Sequence, residues 1–317
     1  MTKYGDIDGD GFLEYIRHSS KGLVHQGWKD SHNSVFYKDG TPAKAPIALC
    51  EVQGYAYEAY LAGSVLATVV GELSKASEYL ERANKLKLEF NKRFWNDEIG
   101  CYVLALDANK EQCAVKTSNA GQCLFSGIVD EDKAAKLVKT LFADDMFSGW
   151  GIRTLSTQER RYNPMSYHNG SVWPHDNALI ALGLKRYGFV NECVELLTTF
   201  FDVSNFVAHH RLPELFCGFT RRAKEGPTPY PVACLPQSWA AASLFGFLEA
   251  ALGLELSGTN NRITFIEPRL PQALKSLKIK NLGFQENKCD VLISTVDDYT
   301  YVTVLNKKGN IRIFTQK

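Results

Sequence analysis

Neither sign of charge dominates this chain. Its 317 residues carry 36 Lys+Arg against 35 Asp+Glu, a formal net charge of +1, so the basic or acidic excess that would point to a nucleic-acid or polyanion partner is missing. Long apolar runs are missing too. Glu58 and Glu249 interrupt the longest ones, and no segment reads as membrane-spanning. The opening Met1-Thr2-Lys3-Tyr4-Gly5-Asp6 has no basic-then-apolar signal pattern. The eight cysteines form no CxxC pair and lie scattered through apolar runs, so they are expected to be buried free thiols in a reducing, cytoplasmic compartment. No GxSxG or P-loop pattern occurs, and the spacing of His168, His175, His209 and His210 matches no compact zinc motif. Serine-nucleophile, phosphate-cradling and zinc chemistry are thereby set aside.

Taken in order, the chain opens on Asp6-Ile7-Asp8-Gly9-Asp10-Gly11, which resembles the start of an EF-hand loop. The twelfth position carries Arg17 where a bidentate Glu is required. The expectation is a turn-rich acidic loop, with a structural calcium near Asp6, Asp8 and Asp10 as its only cofactor reading. Val52 to Gly71 is apolar nearly all round and predicts a helix buried on most sides. After Ser74, a good N-cap, Ala76, Tyr79, Leu80, Ala83, Leu86, Phe90 and Phe94 recur at helical spacing with Lys and Glu between them. The alternation of low-charge and amphipathic helices repeats: 119–125 then 131–142, 176–187 then 190–201, and finally an apolar stretch from Gln237 to Leu254. About seven helices in two concentric layers account for that pattern, the inner ones touching protein on every side. Past Asn260 the period falls to two. Segments 262–266, 277–280, 291–294, 301–305 and 311–314, with turns at Asp297-Asp298 and Lys308-Gly309-Asn310, predict a small antiparallel sheet. The expected division is a helical unit over 1–258 and a β unit over 259–317.

Aromatic residues make up 12% of the chain, and many of them gather with His, Asn, Asp and Glu in loops rather than in the helices. Four such loops carry the chemistry. In Gln26-Gly27-Trp28-Lys29-Asp30-Ser31, an indole face suits the flat C–H face of a sugar, and Asp30 stands two residues on. A carboxyl held beside Trp28 loses solvation, which favours the protonated form that a general acid needs. Equally, Trp28 could be core and Asp30 a helix cap. In Ser148-Gly149-Trp150-Gly151-Ile152-Arg153-Thr154, glycines let the backbone bend round a Trp that could also be core. Tyr167-His168-Asn169-Gly170-Ser171-Val172-Trp173-Pro174-His175-Asp176-Asn177 leads into a helix with Pro174 at its start. There Asp176 suits either a sugar hydroxyl or the helix dipole. The fourth loop, His209-His210-Arg211-Leu212-Pro213-Glu214-Leu215-Phe216, runs on to Gln237-Ser238-Trp239. In it Arg211 is expected to keep Glu214 ionised, as a base requires.

At these residues the chain resembles the amylo-α-1,6-glucosidase (glycogen debranching enzyme-like) proteins, grouped with trehalase, glucoamylase and processing α-glucosidase among the six-pair (α/α) toroid glycosidases. The segments that carry the resemblance are Gln26–Ser31, Glu51-Val52-Gln53-Gly54-Tyr55, Gly149–Thr154, Tyr167–Asp176 and Arg211–Leu215, across roughly residues 5 to 256. The resemblance implies a mainly α, six-pair toroid and an inverting hydrolase of α-linked glucosides, with debranching-type activity favoured. Asp30 falls in the general-acid position and Glu214 in the general-base position. Trp28, Lys29, Glu51, Gln53, Tyr55, Trp150, Arg153, His168, Asn169, Trp173, His175, Asp176, Arg211 and Trp239 are the expected sugar contacts, with Glu51 a hydroxyl ligand rather than a catalyst.

A six-pair toroid implies twelve helices, more than the periodicity supplies, and the chain opens directly on a site loop. The expectation is therefore a toroid incomplete at its N-terminus, its missing part supplied in cis or in trans. The expected partners are an oligosaccharide or small glycoside, with neither nucleic acid nor membrane. Two other readings stay open: a non-catalytic carbohydrate-binding or interaction module, and a toroid lyase or epimerase using Tyr167, His168 or His175 as its base.

Overall fold

The computed structural model describes residues 2–297 and 299–317; Met1 and Asp298, half of one expected turn, lie outside the described residues. A single turn, α1 (Thr2–Gly5), precedes a long loop and the short strand β1 (Ala48–Leu49). Helices α2 (Cys50–Val69) and α3 (Leu73–Arg93) follow, then four two-residue strands, β2 (Trp95–Asn96), β3 (Cys101–Tyr102), β4 (Ala105–Leu106) and β5 (Gln112–Cys113). Next come α4 (Asn119–Ser126), α5 (Glu131–Leu141), α6 (Pro174–Arg186), α7 (Val190–Ser204) and α8 (Ser238–Leu252). All the expected long helices are present. The first of them starts earlier than expected, at Cys50, and the second is capped at Glu72 rather than Ser74.

The low-charge helices pack side by side in the order α2, α4, α6, α8, while α3, α5 and α7 each lie against the helix they follow. Amphipathicity dictates that arrangement. α3 buries Ala76, Ala83, Leu86 and Phe90 on one face and leaves its Lys and Glu residues in water. α6 buries Ala178, Ile180, Ala181, Gly183 and Leu184 because it has neighbours on several sides. One core runs through both layers, from Phe12 and Phe94 through Leu124 and Ile180 to Phe200 and Phe247.

The ends of the inner row depart from expectation. On α2, Val65, Leu66 and Val69 are 63%, 66% and 77% exposed, and on α8 Phe245 is 74% exposed. An all-round apolar helix buries every face only if something lies against each, and α2 and α8 are the outermost members of the row.

Gly253 stops α8 before the expected end at Leu254. It adopts φ 55°, and a Cβ there would stand 2.1 Å from the Ile266 carbonyl oxygen. The β segment therefore begins at β6 (Leu254–Ser257), ahead of residue 259, followed by β7 (Arg262–Ile266), β8 (Ser276–Phe284), β9 (Asn287–Val296), β10 (Tyr299–Lys308) and β11 (Arg312–Gln316). It forms two three-stranded sheets, β8–β9–β10 and β6–β7–β11, rather than one antiparallel sheet. After the Lys308–Asn310 turn the chain crosses back, so β11 lies parallel to β7, and Ile311 just before it is buried with Ile263, Phe265, Val291 and Ile293.

Seven of the eight cysteines are buried and free, as expected; Cys234 is exposed. No described helix is long and apolar enough to cross a membrane. In the acidic loop, carboxylate oxygens of Asp6, Asp8 and Asp10 lie within 4.8 Å of one another. The Lys110 ammonium meets Asp8 at 2.9 Å and Asp10 at 3.1 Å and also pairs with Glu14. Glu14 thus joins the acidic loop through Lys110, whose ammonium serves Asp8, Asp10 and Glu14 together.

Candidate active site

Three of the four loops lie side by side at one end of the inner helices because their backbones bridge, and the opening loop is tied to them by Lys29 Nζ, which donates to Thr154 O. Arg153 pairs with Val172, Val172 with Phe216 and Phe216 with Pro229. The inner helices start at that same end. Gln122 of α4 bonds Tyr55 of α2 and Asp176 of α6, each near its own helix's beginning. The positive ends of those helix dipoles therefore face the loops, and Glu51, Asn119, Asp176 and Trp239 all fall in first turns.

Glu214 is 5% exposed. Its Oε1 accepts from the Tyr167 hydroxyl at 2.9 Å and from Gln237 Nε2 at 3.5 Å, and its Oε2 accepts from the Cys234 backbone N–H at 3.1 Å. Arg211, expected to hold that charge, is exposed, and no ion pair joins the two among the described residues. The rest of Glu214's loop turns Arg211 outward, so neutral donors take its place. The Tyr167 hydroxyl has its pKa pushed up by burial and by the hydrogen bond to Glu214, so it keeps its proton and donates.

Asp30 lies across the same turn. Its Oδ1 is 3.9 Å from Nδ1 of His168, and its side chain is 49% exposed. The desolvation by Trp28 expected from the sequence is not in place, because the indole meets other rings. It stands edge-on to His168, Trp173 and His175 at centroid distances of 5.6, 5.6 and 5.0 Å. His168 is held by the Ser31 hydroxyl at 2.8 Å and stacks on Trp173 at 5.2 Å. Its pKa is driven down to about 3, first by burial and then by the charges of Lys29 and His175, so it is neutral near pH 7. His175 is lowered by burial against the opposing pull of Asp176 and Glu214. It stacks on the half-exposed Trp239 at 4.0 Å, with 7° between the planes.

Beneath Gly27 and Trp28 lies a buried polar floor. Glu51 is 1% exposed, Asn119 1% and Asp176 0%. A Cβ on Gly27 would come within 3.5 Å of Glu51 Oε1, which places that oxygen directly under the loop. Lys29 is buried too. Its Nζ donates to the Thr154 carbonyl at 2.7 Å and lies over the Trp28 ring at 5.1 Å. Burial lowers the Lys29 pKa to about 8 despite the charges of Asp176 and Glu51, and burial raises that of Glu51. Asp176 lies in the first turn of α6, where its Oδ1 accepts from Gln122 Nε2.

Four expected sugar contacts have other employment, and a fifth turns outward. Gln53 spends its amide on the backbone of Leu13 and Leu49. Arg153 donates to Gly218 O, Asp144 O and Thr220 Oγ1. Asn169 Nδ2 bonds Asn33 O. Trp150 is core, packed by Phe206 and covered by Arg221 at 4.1 Å. Arg211 points to solvent, as noted. Gln53, Arg153 and Asn169 act by fixing loop shape, because buried backbone carbonyls and N–H groups must be paired. Tyr55 is partly exposed and donates to Gln122; Trp173 Nε1 bonds Tyr167 O and Ser171 Oγ, which steadies the turn. The residues overlooked were Tyr167 as a partner of Glu214, Gln122, and Asn119. The low-charge start of α4 was the only sequence signal for the last two.

The description of the mannosylglycerate hydrolase MGH1-like glycoside hydrolase domain matches residues 11–227. Mannosylglycerate hydrolase MGH1 of Selaginella moellendorffii is 25% identical over 185 residues, covering 58% of this chain and 35% of that protein. The cytosolic neutral trehalase of Neurospora crassa is 29% identical over 131 residues, covering 39% of this chain and 17% of its own length. The GH78 family rhamnosidase of Bacillus sp. GL1 superposes with a TM-score of 0.66 at 14% identity, over 99% of this chain and 29% of that one; at that identity the likeness shows the fold. The chain thus spans well under half the length of the curated relatives named here, and their names concern mannosylglycerate and trehalase activity rather than glycogen debranching. With the match extending over 217 of the 317 residues (227 − 11 + 1), the chain belongs to the mannosylglycerate hydrolase MGH1-like glycoside hydrolase family.

Proposed function

We propose that the protein hydrolyses a small α-linked glycoside with inversion of configuration, Asp30 acting as general acid and Glu214 as general base. The observation that carries this is the contrast between the two carboxyls. Glu214 is buried and held by three donors, so its orientation is fixed; Asp30, across the Tyr167–His168 turn, is open to a ligand. In the step, Glu214 takes a proton from water as the water oxygen bonds to the anomeric carbon. Asp30 gives its proton to the leaving oxygen as the glycosidic C–O bond breaks. Inverting pairs need room for that water, about 6.5–9.5 Å between carboxyls. The named relatives favour a small glycoside over the debranching-type activity that the motifs resembled. A panel of α-glucosides, α-mannosides, maltooligosaccharides and sucrose tests the reading on the full-length gene product. Asp30→Asn and Glu214→Gln should each lower kcat by about 10²–10⁴ with smaller changes in KM; release of no sugar from any of them would sink it.

The same reading takes the helical part as an incomplete six-pair toroid, with a β unit behind it and the rest of the ring supplied in cis or in trans. The bare apolar faces of α2 and α8 support that part of the proposal. A lyase reading with Tyr167 as its base is disfavoured, because the Tyr167 hydroxyl donates to Glu214 and holds its proton.

A further inference from the structure

The acidic loop at the start of the chain closes on a cation, and that cation belongs to the chain. In Asp6-Ile7-Asp8-Gly9-Asp10-Gly11, Gly9 and Gly11 take φ 79° and 97° and fold the segment back on itself. Asp8 and Asp10 then divide their oxygens. Asp8 Oδ1 accepts from the Asp10 backbone N–H at 3.2 Å and Asp10 Oδ1 from that of Phe12 at 2.9 Å, while both Oδ2 atoms turn to Lys110 Nζ. Glu14, whose side chain is 1% exposed, gives Oε1 to the same ammonium and keeps Oε2 shielded from solvent without a hydrogen-bond partner. Asp6 Oδ1 is shielded and unpartnered as well. An ammonium has three N–H donors, and three carboxylates take them. Lys110 itself stands in a turn closed by its own N–H on Asp107 O at 2.9 Å and by Asp107 Oδ1, which accepts from the N–H groups of Asn109 and Glu111. Its φ is 62°, a conformation that Gly or Asn adopts at lower cost. The side chain, rather than the backbone, accounts for a lysine at this position.

We propose that Lys110 is the resident cation of a calcium-type loop, and that removing its ammonium uncovers a four-carboxylate site, Asp6, Asp8, Asp10 and Glu14, for a hard divalent ion of calcium's size. Oxygens bound to one calcium at about 2.3–2.6 Å lie no more than about 5 Å apart, and those of Asp6, Asp8 and Asp10 already lie within 4.8 Å of one another. In the wild-type chain a metal would need the oxygens that Nζ holds at 2.9 and 3.1 Å, and would stand against the ammonium's own charge. Four carboxylates outweigh one ammonium, so without Lys110 the converging oxygens repel one another and attract a divalent ion strongly. Magnesium fits less well, because it requires near-ideal octahedral geometry at about 2.0–2.1 Å. The consequence is a loop whose shape does not follow the concentration of free calcium. Leu13, just beyond it, exchanges two hydrogen bonds of 2.8 Å with the Gln53 amide of α2, so that constancy passes to the segment leading into the site. The inference stands apart from the hydrolase reading and does not depend on it.

The test uses the full-length gene product and its Lys110→Asn variant, in which Asn keeps the left-handed turn and its shorter side chain withdraws from the cluster. Melting is followed in EDTA and in about 5 mM CaCl2. The wild type should change by no more than about 1 °C between the two, and the variant should gain at least about 4 °C in calcium. Titration calorimetry with CaCl2 should show one site in the variant, with Kd about 1 mM or tighter and MgCl2 at least about tenfold weaker, and none in the wild type. Adding Asp8→Asn to Lys110→Asn should weaken calcium binding at least about tenfold. Calcium that binds and stabilises the wild type as it does the variant overturns the proposal, because the metal then sits beside the lysine. A variant that folds and takes up no calcium overturns it too, as does one that stays unfolded even in calcium. Calcium affinity left unchanged by Asp8→Asn would place the ion elsewhere and overturn it as well.

Discussion

The Tyr167 hydroxyl donates a 2.9 Å hydrogen bond to Glu214 Oε1, and in doing so ties the loop that presents one carboxyl to the turn that faces the other. His168, the next residue, lies beside Asp30. Removing one hydroxyl should therefore disturb the spacing of the two carboxyls without opening the core. Tyr167→Phe is expected to lower kcat by about 10- to 100-fold, the equivalent of losing a hydrogen bond to a charged group at about 1.5–3 kcal/mol. The melting temperature should move by only a few degrees. Steady-state kinetics and calorimetry check this together, and an unchanged kcat would separate Tyr167 from the reaction.

His168 supplies a pH test. Its folded pKa is depressed to about 3 from an ordinary 6.5 by burial and neighbouring positive charge, so the unfolded chain binds the extra proton between those values. Stability is fully present above pH 6.5 and falls as pH drops from there toward 3. His175 shifts in the same direction. Chemical denaturation between pH 7 and pH 4 should show that loss, and His168→Asn should make the curve shallower. A variant with the wild-type slope would show that another group titrates.

Lys110 joins Asp8, Asp10 and Glu14, and the Glu14 side chain is 1% exposed. Lys110→Met leaves a buried carboxylate without its partner, a change that costs about 3–5 kcal/mol when a buried ion pair is broken from one side. Denaturant midpoints at pH 7 should fall accordingly. A loss under 1 kcal/mol would mean that solvent or a bound cation screens the cluster.

Most of the fold could be read from the sequence, because the helices carry their burial as a 3.6-residue pattern and the strands as alternation. The site was legible in part. Asp30, Glu51, Asp176 and Glu214 are drawn in by short motifs, whereas the duties of Gln53 and Arg153 depend on which backbone groups the fold brings to them. Tyr167 was visible as a site residue but not as Glu214's partner, since that pairing spans 47 positions. The parallel β7–β11 pair escaped because it joins segments separated by the three strands β8, β9 and β10.

The exposed side chains Val65, Leu66, Val69 and Val70 on and just after α2, with Phe245 on α8, form apolar edges. Contiguous patches of that kind exceed what soluble monomers usually leave bare once they reach several hundred Å². Residues 1–317 expressed alone should self-associate or bind hydrophobic dye and lack turnover, and co-expression with any segment encoded upstream should restore both properties. Sedimentation velocity decides it. A monodisperse, cooperatively melting and active monomer would show that the edges need no cover.

The central claim is single displacement by water between Asp30 and Glu214, and proton NMR of the first-formed product tests it most directly. With whichever α-glycoside of the panel is cleaved, the account predicts that the β-anomer of the released sugar appears first and then mutarotates. Appearance of the α-anomer first would require a covalent intermediate and would contradict the account.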